Sequence, residues 1–223
     1  METRSIRSYV LRAGRITPAQ KSGLLTLKSK YTADLGSLGQ VERLFDCVGS
    51  IHLEIGFGNS DNLIASASAR PNTNYLGCEV HPPGIAQALI AIERLRLTNV
   101  KVFDQDVYSL LPAMKDNSLD GVDMFFPDPW PKKKHVKRRL VQAEFLKLLG
   151  KKLKRRGIFR FATDNMSYAM DVVALVRDME GWRNLAGDAL WSPRPVQRIV
   201  TRFEAKARKE LRRIFEISIF YLP

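Results

Sequence analysis

The chain has 223 residues, 45% of them apolar, and 36 Lys and Arg against 23 Asp and Glu give a net charge of +13. This length suits one domain that buries about 70% of its unfolded surface and needs no metal or disulfide to fold. Two cysteines (Cys47, Cys78) exclude a disulfide scaffold and a Cys-based zinc site, and three histidines (His52, His81, His135) without ligand spacing predict no metal.

In chain order, residues 1–45 read as a basic arm with one helix that starts near Pro18. An α/β alternation fills residues 46–223. Strands are predicted at 51–55 (IHLEI), 74–80 (NYLGCEV), 100–103 (VKVF), 121–126 (GVDMFF) and 157–162 (GIFRFA). Helices are predicted at 62–69, 85–97, 136–155 and 167–179, and two further strand-like runs cover 197–203 and 214–221. Strand and helix alternating in this way imply a mostly parallel sheet with helices on both faces. No apolar run approaches the ~18 residues of a membrane span. The start of the chain, METRSIRSYVLRAGRIT, lacks the apolar centre of a secretory signal, so a cytoplasmic protein is expected.

The charge is concentrated. Residues 132–156 hold 12 basic residues against Glu144 alone, a local +11, and Arg4, Arg7, Arg12 and Arg15 against Glu2 add +3 near the start. Six cations within 132–139 (Lys132, Lys133, Lys134, Lys137, Arg138, Arg139) repel one another unless an anion is near, and nucleic-acid phosphate is the commonest such anion. A solvated helix face is the plainer reading. A membrane surface is disfavoured, because Val136, Leu140, Ala143 and Leu146 form a stripe that reads as core-facing.

Chemistry-bearing residues fall at strand ends. Gly56 and Gly58, in EIGFG, let the backbone approach a ligand closely. A dinucleotide fingerprint would need a third glycine at 61, where Asp61 stands, so NAD and FAD are disfavoured. Glu54 precedes that turn and suits a cationic or amine-bearing ligand. Glu79 ends the second strand, where a carboxylate accepts from ribose hydroxyls. Asp106 follows the third, with Asp104 as its rival, and could cap a turn or meet an adenine amine. After the fourth strand comes FFPDPWP, in which flanking prolines stiffen Asp128 and Trp130 offers a stacking face. ATDN (162–165) and TRFE (201–204) read on their own as turns or exposed strand residues.

LEIGFG, GCEV, FDQDV, FFPDPWPKKKHVKRR, FATDN and TRFEAKA, in this order and spacing, closely resemble the bacterial tRNA (guanine-N7-)-methyltransferase family over nearly the whole chain. The resemblance implies a Rossmann-like class I methyltransferase domain over 46–223 behind the N-terminal basic extension. It implies S-adenosylmethionine as cofactor and, as substrate, the variable-loop guanosine at position 46 of tRNA. Family cofactor contacts match Glu54, Glu79, Asp106 and Asp128, and substrate-binding positions match Lys132, Asp164, Thr201, Arg202, Phe203 and Glu204. Asn59-Ser60 stand where the family often has a further glycine, and Arg202 and Ala207 where it often has Lys and Gly.

Guanine N7 carries an in-plane lone pair, so methylating it needs positioning and a carboxylate to balance the cationic product, and no general base. Asp128 is assigned that role, with Asp164 and Glu204 as rivals. Lys133, Lys134, Lys137, Arg138 and Arg139 are expected to hold tRNA phosphates. The alternatives are an exocyclic-amine or glutamine methyltransferase, and a non-catalytic RNA-binding protein on the same fold. A monomer or homodimer is compatible with the sequence.

Overall fold

The computed structural model of the protein describes residues 8–9 and 15–222. Arg4, Arg7 and Arg12 of the basic arm lie outside the described residues, and Arg15 is exposed. Helix α1 (Pro18–Tyr31) begins with a capping box: Thr17 Oγ1 accepts from the Gln20 N–H at 3.3 Å and Gln20 Oε1 from the Thr17 N–H at 3.0 Å, with Pro18 in the first helical position. A 3-10 segment (Ser37–Leu44) leads into β1 (Ser50–Ile55), α2 (Asp61–Ala69), β2 (Thr73–Cys78), α3 (Pro82–Leu95), β3 (Val100–Phe103), α4 (Val107–Ala113) and β4 (Leu119–Phe125). A second 3-10 turn (Lys133–Arg138) precedes α5 (Ala143–Lys152), β5 (Leu153–Thr163), α6 (Met166–Asp178), β6 (Trp182–Asn184), α7 (Arg202–Lys209) and β7 (Phe215–Tyr221).

The strands form one sheet in the order β3-β2-β1-β4-β5-β7-β6, parallel from β3 to β5, with β7 antiparallel to both neighbours. Register makes its two faces unlike. Leu53, Val122, Phe159 and Ile219 stand in one row and Glu54, Asp123, Arg160 and Ser218 in the next. The apolar face is buried under α4, α5, α6 and the first 3-10 segment, in a core that includes Leu38, Val41, Leu110, Phe145 and Tyr168. On the opposite face, α1, α2 and α3 cover the β2–β3 side through Tyr31, Leu63, Ile85 and Leu89. Residues 15–45 are thus stitched to the same core, and Ala33 donates to the Val102 carbonyl at 2.8 Å. No helix in the described residues is long and apolar enough to cross a membrane.

Two predicted elements differ. The expected helix 136–155 is a 3-10 turn, an irregular stretch and α5, and β5 has begun by Leu153. Val136, assigned to a core-facing stripe, is only half-buried, because consecutive cations keep that segment at the surface. The run 197–203, expected as a strand, is coil that leads into α7, where Thr201 caps the helix. The strand that takes the sheet edge instead is β6, whose three residues are too short to show a period. Helix α4 is an addition to the expected elements. Asp106 caps it and Pro112 lies in its last turn, where a missing N–H costs most of a short helix's sequence signal.

Candidate active site

The strand order reverses between β1 and β4, the place where open α/β sheets bind ligands. A pocket of about 440 Å³ opens there, a volume suited to a nucleoside-sized ligand. Gly56 (φ +70°) and Gly58 (φ +55°) form its floor after β1, and a Cβ on either would meet nothing within 4 Å. The glycines therefore serve conformation and close approach rather than packing. Ser60, where the related family often has glycine, also holds a left-handed conformation (φ 66°), at a cost of roughly 1 kcal/mol.

Glu79 organises this turn. Its carboxylate accepts from the N–H groups of Gly58 (2.9 Å), Val80 (2.7 Å) and His81 (3.0 Å), which locks the glycine loop to the end of β2. Helix α3 presses from the other side, so close that a Cβ on Gly84 would collide with the Gly58 carbonyl oxygen. Asp106 lines the pocket and commits one oxygen to the Tyr108 N–H at 2.9 Å as the cap of α4. Its rival Asp104 is paired with Lys28 of α1 at 2.5 Å.

Glu54 lies outside the main pocket. It is buried, accepts from Asn62 Nδ2 at 2.9 Å, and borders a small adjoining cleft of about 30 Å³ that Thr201, Arg202 and Phe203 also line. Burial, reinforced by Asp123 on the neighbouring strand and opposed by the Asn62 hydrogen bond, pushes its carboxyl up to about 8. Asp123 is held by a bidentate pair with Arg160 at 2.6 and 2.9 Å.

The opposite rim is the 126–130 loop, with Phe126, Pro127 and Asp128 lining the pocket. Phe126 (φ 55°) and Trp130 (φ 44°) both hold left-handed backbone, and the Phe126 N–H is tied to the Ala162 carbonyl at 2.7 Å. Strain at two non-glycine residues flanking one aspartate persists only where the surroundings over-determine the loop. Trp130, expected to offer a face to a base, donates its indole N–H to the Ser8 carbonyl at 2.9 Å and carries the Arg138 guanidinium 4.9 Å over its ring.

The basic run divides. Lys132, Lys133, Lys134 and Lys137 are exposed. Arg139, expected on phosphate, is a correction: its side chain is 1% exposed, bonds the Pro129 carbonyl at 2.9 Å, pairs with Asp171 and Ser167, and lies 4.9 Å over the Tyr168 ring. Of the rivals to Asp128, Asp164 is paired with Arg212. Glu204 is fully buried, held by Arg194 (3.2 Å), Arg198 (2.7 Å) and Arg208 (2.5 Å). Thr201 Oγ1 accepts from the Glu204 N–H at 3.2 Å, Arg202 is exposed, and Phe203, 63% exposed, stands at the mouth of both cavities. Sequence reasoning missed Arg198, which bonds Glu204 and Glu216 and packs 4.9 Å over Phe125, fastening α7 to the charged face of the sheet. No group of three or more His, Cys, Asp or Glu side chains among the described residues could hold a metal ion.

A family profile described as "Putative methyltransferase" matches residues 49–217. Curated relatives named tRNA (guanine-N(7)-)-methyltransferase include one from Methylococcus capsulatus, 41% identical over 92% of this chain and 90% of its own length. Another, from Nitrosococcus oceani, is 40% identical over 94% and 88%. Among solved structures, the 16S rRNA methyltransferase KamB (TM-score 0.61, 11% identity, 87% of this chain and 96% of that one) and the aminoglycoside resistance methyltransferase NpmB1 (0.60, 14%, 82% and 92%) share the fold.

Proposed function

The chain belongs to the tRNA (guanine-N(7)-)-methyltransferase family, and on that premise we propose that it methylates N7 of the variable-loop guanosine of tRNA, in the cytoplasm, with S-adenosylmethionine as donor. The reading rests on one juxtaposition: a pocket bounded by the Gly56–Gly58 turn, Glu79 and Asp106 is closed on its far side by Asp128, just before an exposed cationic turn.

The residues present fit the cofactor. The open space above Gly56 and Gly58 lets the backbone approach it, and the acids ending β2 and following β3 match its hydroxyl and amine donors. When bound, that cofactor supplies an electrophilic methyl group. Glu79 holds the glycine loop in shape and presents its carboxylate to the ribose, and Asp106 meets the adenine side. Glu54 borders the adjoining cleft beside Gly56 and Gly58 and supports the turn from behind through Asn62 and the β1–β4 pair.

Asp128 orients the guanine by accepting from its N1–H and N2–H groups and balances the positive charge that develops on the ring. Asp128 lines the wall of the main pocket, and Asp164 and Glu204 do not. Phe203 offers a ring to the base, and Lys132, Lys133, Lys134, Lys137, Arg138 and Arg202 meet the phosphates. Incubation with labelled S-adenosylmethionine and unmodified tRNA, followed by borohydride and aniline, tests this reading: cleavage at the variable-loop guanosine is expected, and methylated tRNA that resists cleavage refutes N7. Asp128→Asn keeps the side-chain shape and removes the charge. Turnover should fall about ten- to a thousand-fold, for ~1.4–4 kcal/mol of transition-state stabilisation, while tRNA affinity changes less.

A further inference from the structure

Residues 202–213 carry six basic side chains, Arg202, Lys206, Arg208, Lys209, Arg212 and Arg213, against Glu204 and Glu210. The structure sorts them. Arg208 is spent on buried Glu204, and Arg212 on Asp164 and Glu210. Arg213 packs 5.3 Å over the Phe215 ring. Arg202, Lys206 and Lys209 recur at spacings of four and three residues, so they share one face of α7, opposite the stripe of Glu204 and Ala207 that is buried against the sheet. All three are exposed, and Ala205 beside them adds no bulk. Among the described residues, the acid paired with this face is Glu210, 3.9 Å from Lys206. The outer faces of α3 and α6 mix signs, with Glu93 beside Arg94 and Asp171 with Arg177 and Asp178, and on the all-basic α1 Lys28 and Lys30 are paired with Asp104 and Glu93.

The first turn of α7 borders the pocket. Phe203, next to Arg202, lines it together with Pro127 and Asp128, which lead directly into the Lys133–Arg138 turn. A strand entering the pocket therefore passes between two cationic elements. A helix dipole accounts for cations in the last turn of α7, but it opposes Arg202 in the first, so the dipole alone does not explain the face.

We propose that the outward face of α7, formed by Arg202, Lys206 and Lys209, is a second phosphate-binding surface that grips the RNA backbone across the pocket from the Lys133–Arg138 turn. This rests on the tRNA-methyltransferase reading and adds to it a two-sided clamp, in which the segment on one side of the target guanosine lies on the turn and the segment on the other lies on α7. The test is the double variant Lys206→Gln/Lys209→Gln in the full chain, with tRNA binding measured across a salt series. The slope of log affinity against log salt should fall by roughly one to two, about 0.9 for each phosphate no longer neutralised on a duplex and 0.7 on a single strand. S-adenosylmethionine affinity should be unchanged. Phosphate-ethylation interference should disappear at one group of positions in this variant and at a different group in Lys133→Gln/Lys134→Gln/Lys137→Gln. An unchanged slope, or interference that disappears at the same positions in both variants, overturns the clamp while leaving the functional reading intact. A wild-type protein with no salt-dependent tRNA affinity overturns both.

Discussion

Arg139 is the point at which charge counting and geometry give opposite forecasts, which makes Arg139→Met a sharp test. If the side chain sat on phosphate like its neighbours, the change would cost RNA affinity and nothing else. The structure places it in the interior, 1% exposed, with its Nε–H on the Pro129 carbonyl. Methionine keeps the aliphatic stem over Tyr168 but orphans that carbonyl, at about 1–3 kcal/mol for an unsatisfied buried acceptor. The partner Asp171 is half exposed and rehydrates, so its loss adds little. A total of ~1–3 kcal/mol, at about 2–4 °C per kcal/mol for a domain of this size, lowers the melting temperature by roughly 2–12 °C. Because Pro129 adjoins Asp128, turnover at saturating tRNA should also drop, whereas the salt slope of tRNA binding should stay at the wild-type value. Arg139→Lys, which retains a donor but not the fork, should fall between. An unchanged melting temperature together with a salt slope reduced by about 0.9 would show that Arg139 contacts phosphate and that the interior assignment is wrong.

Glu79→Ala removes the acceptor for three backbone N–H groups and should weaken S-adenosylmethionine binding by ~1.5–3 kcal/mol; calorimetry with unchanged affinity would remove Glu79 from the site. Gly84→Ala forces α3 away from the Gly58 carbonyl, so cofactor affinity should drop at least tenfold, about 1.4 kcal/mol, with tRNA affinity retained, and equal losses in both would refute a local cause. Glu54 titrates near 8 in the folded protein against 4.5 for its ordinary value. Unfolded chains thus lose this proton first, and the cost to the fold is absent below about pH 4.5, grows as pH rises toward 8 and is complete above it. Glu54→Gln removes that cost, so its stability advantage over the wild type should widen across this window, and denaturant melts showing a constant difference would contradict it.

Where neighbours in sequence decide the outcome, sequence and structure agree closely. β3 occupies the expected Val100–Phe103, and α1 begins at Pro18 because Thr17 and Gln20 cap each other locally. The glycine turn, Glu79, Asp106 and Asp128 all reach one pocket, because each follows or ends a parallel strand and strand ends converge. What escapes depends on partners distant in sequence. Nothing within 132–139 tells Arg139 from Arg138. The difference is made by Tyr168 and Asp171, some thirty residues on, which accept one arginine into the interior while Trp130 keeps the other at the surface. Glu204 looks available for guanine in the sequence because two of its three arginines, Arg194 and Arg198, precede α7 and meet it only when α7 folds onto the sheet, while Arg208 stands one helical turn on. The strand-like composition of 197–203 misleads for a related reason: Arg198 there is spent on a buried charge cluster and not on a ladder.

The position of β7 bears on how the chain is made. A ribosome delivers β5 and β6 before β7, yet β7 lies between them in the finished sheet. Until the last of these strands has emerged, the outer edge of β5 is an open template, flanked by Phe159 and Phe161 and separated by the whole of residues 164–214 from the strand that will close it. The nascent protein therefore carries its most adhesive edge through the final stretch of synthesis, the interval in which holdase chaperones are of most use to it. A premature stop that spares every pocket residue but deletes 215–221 would leave that edge permanently exposed, and its product would be lost to aggregation or proteolysis before its chemistry could be assayed.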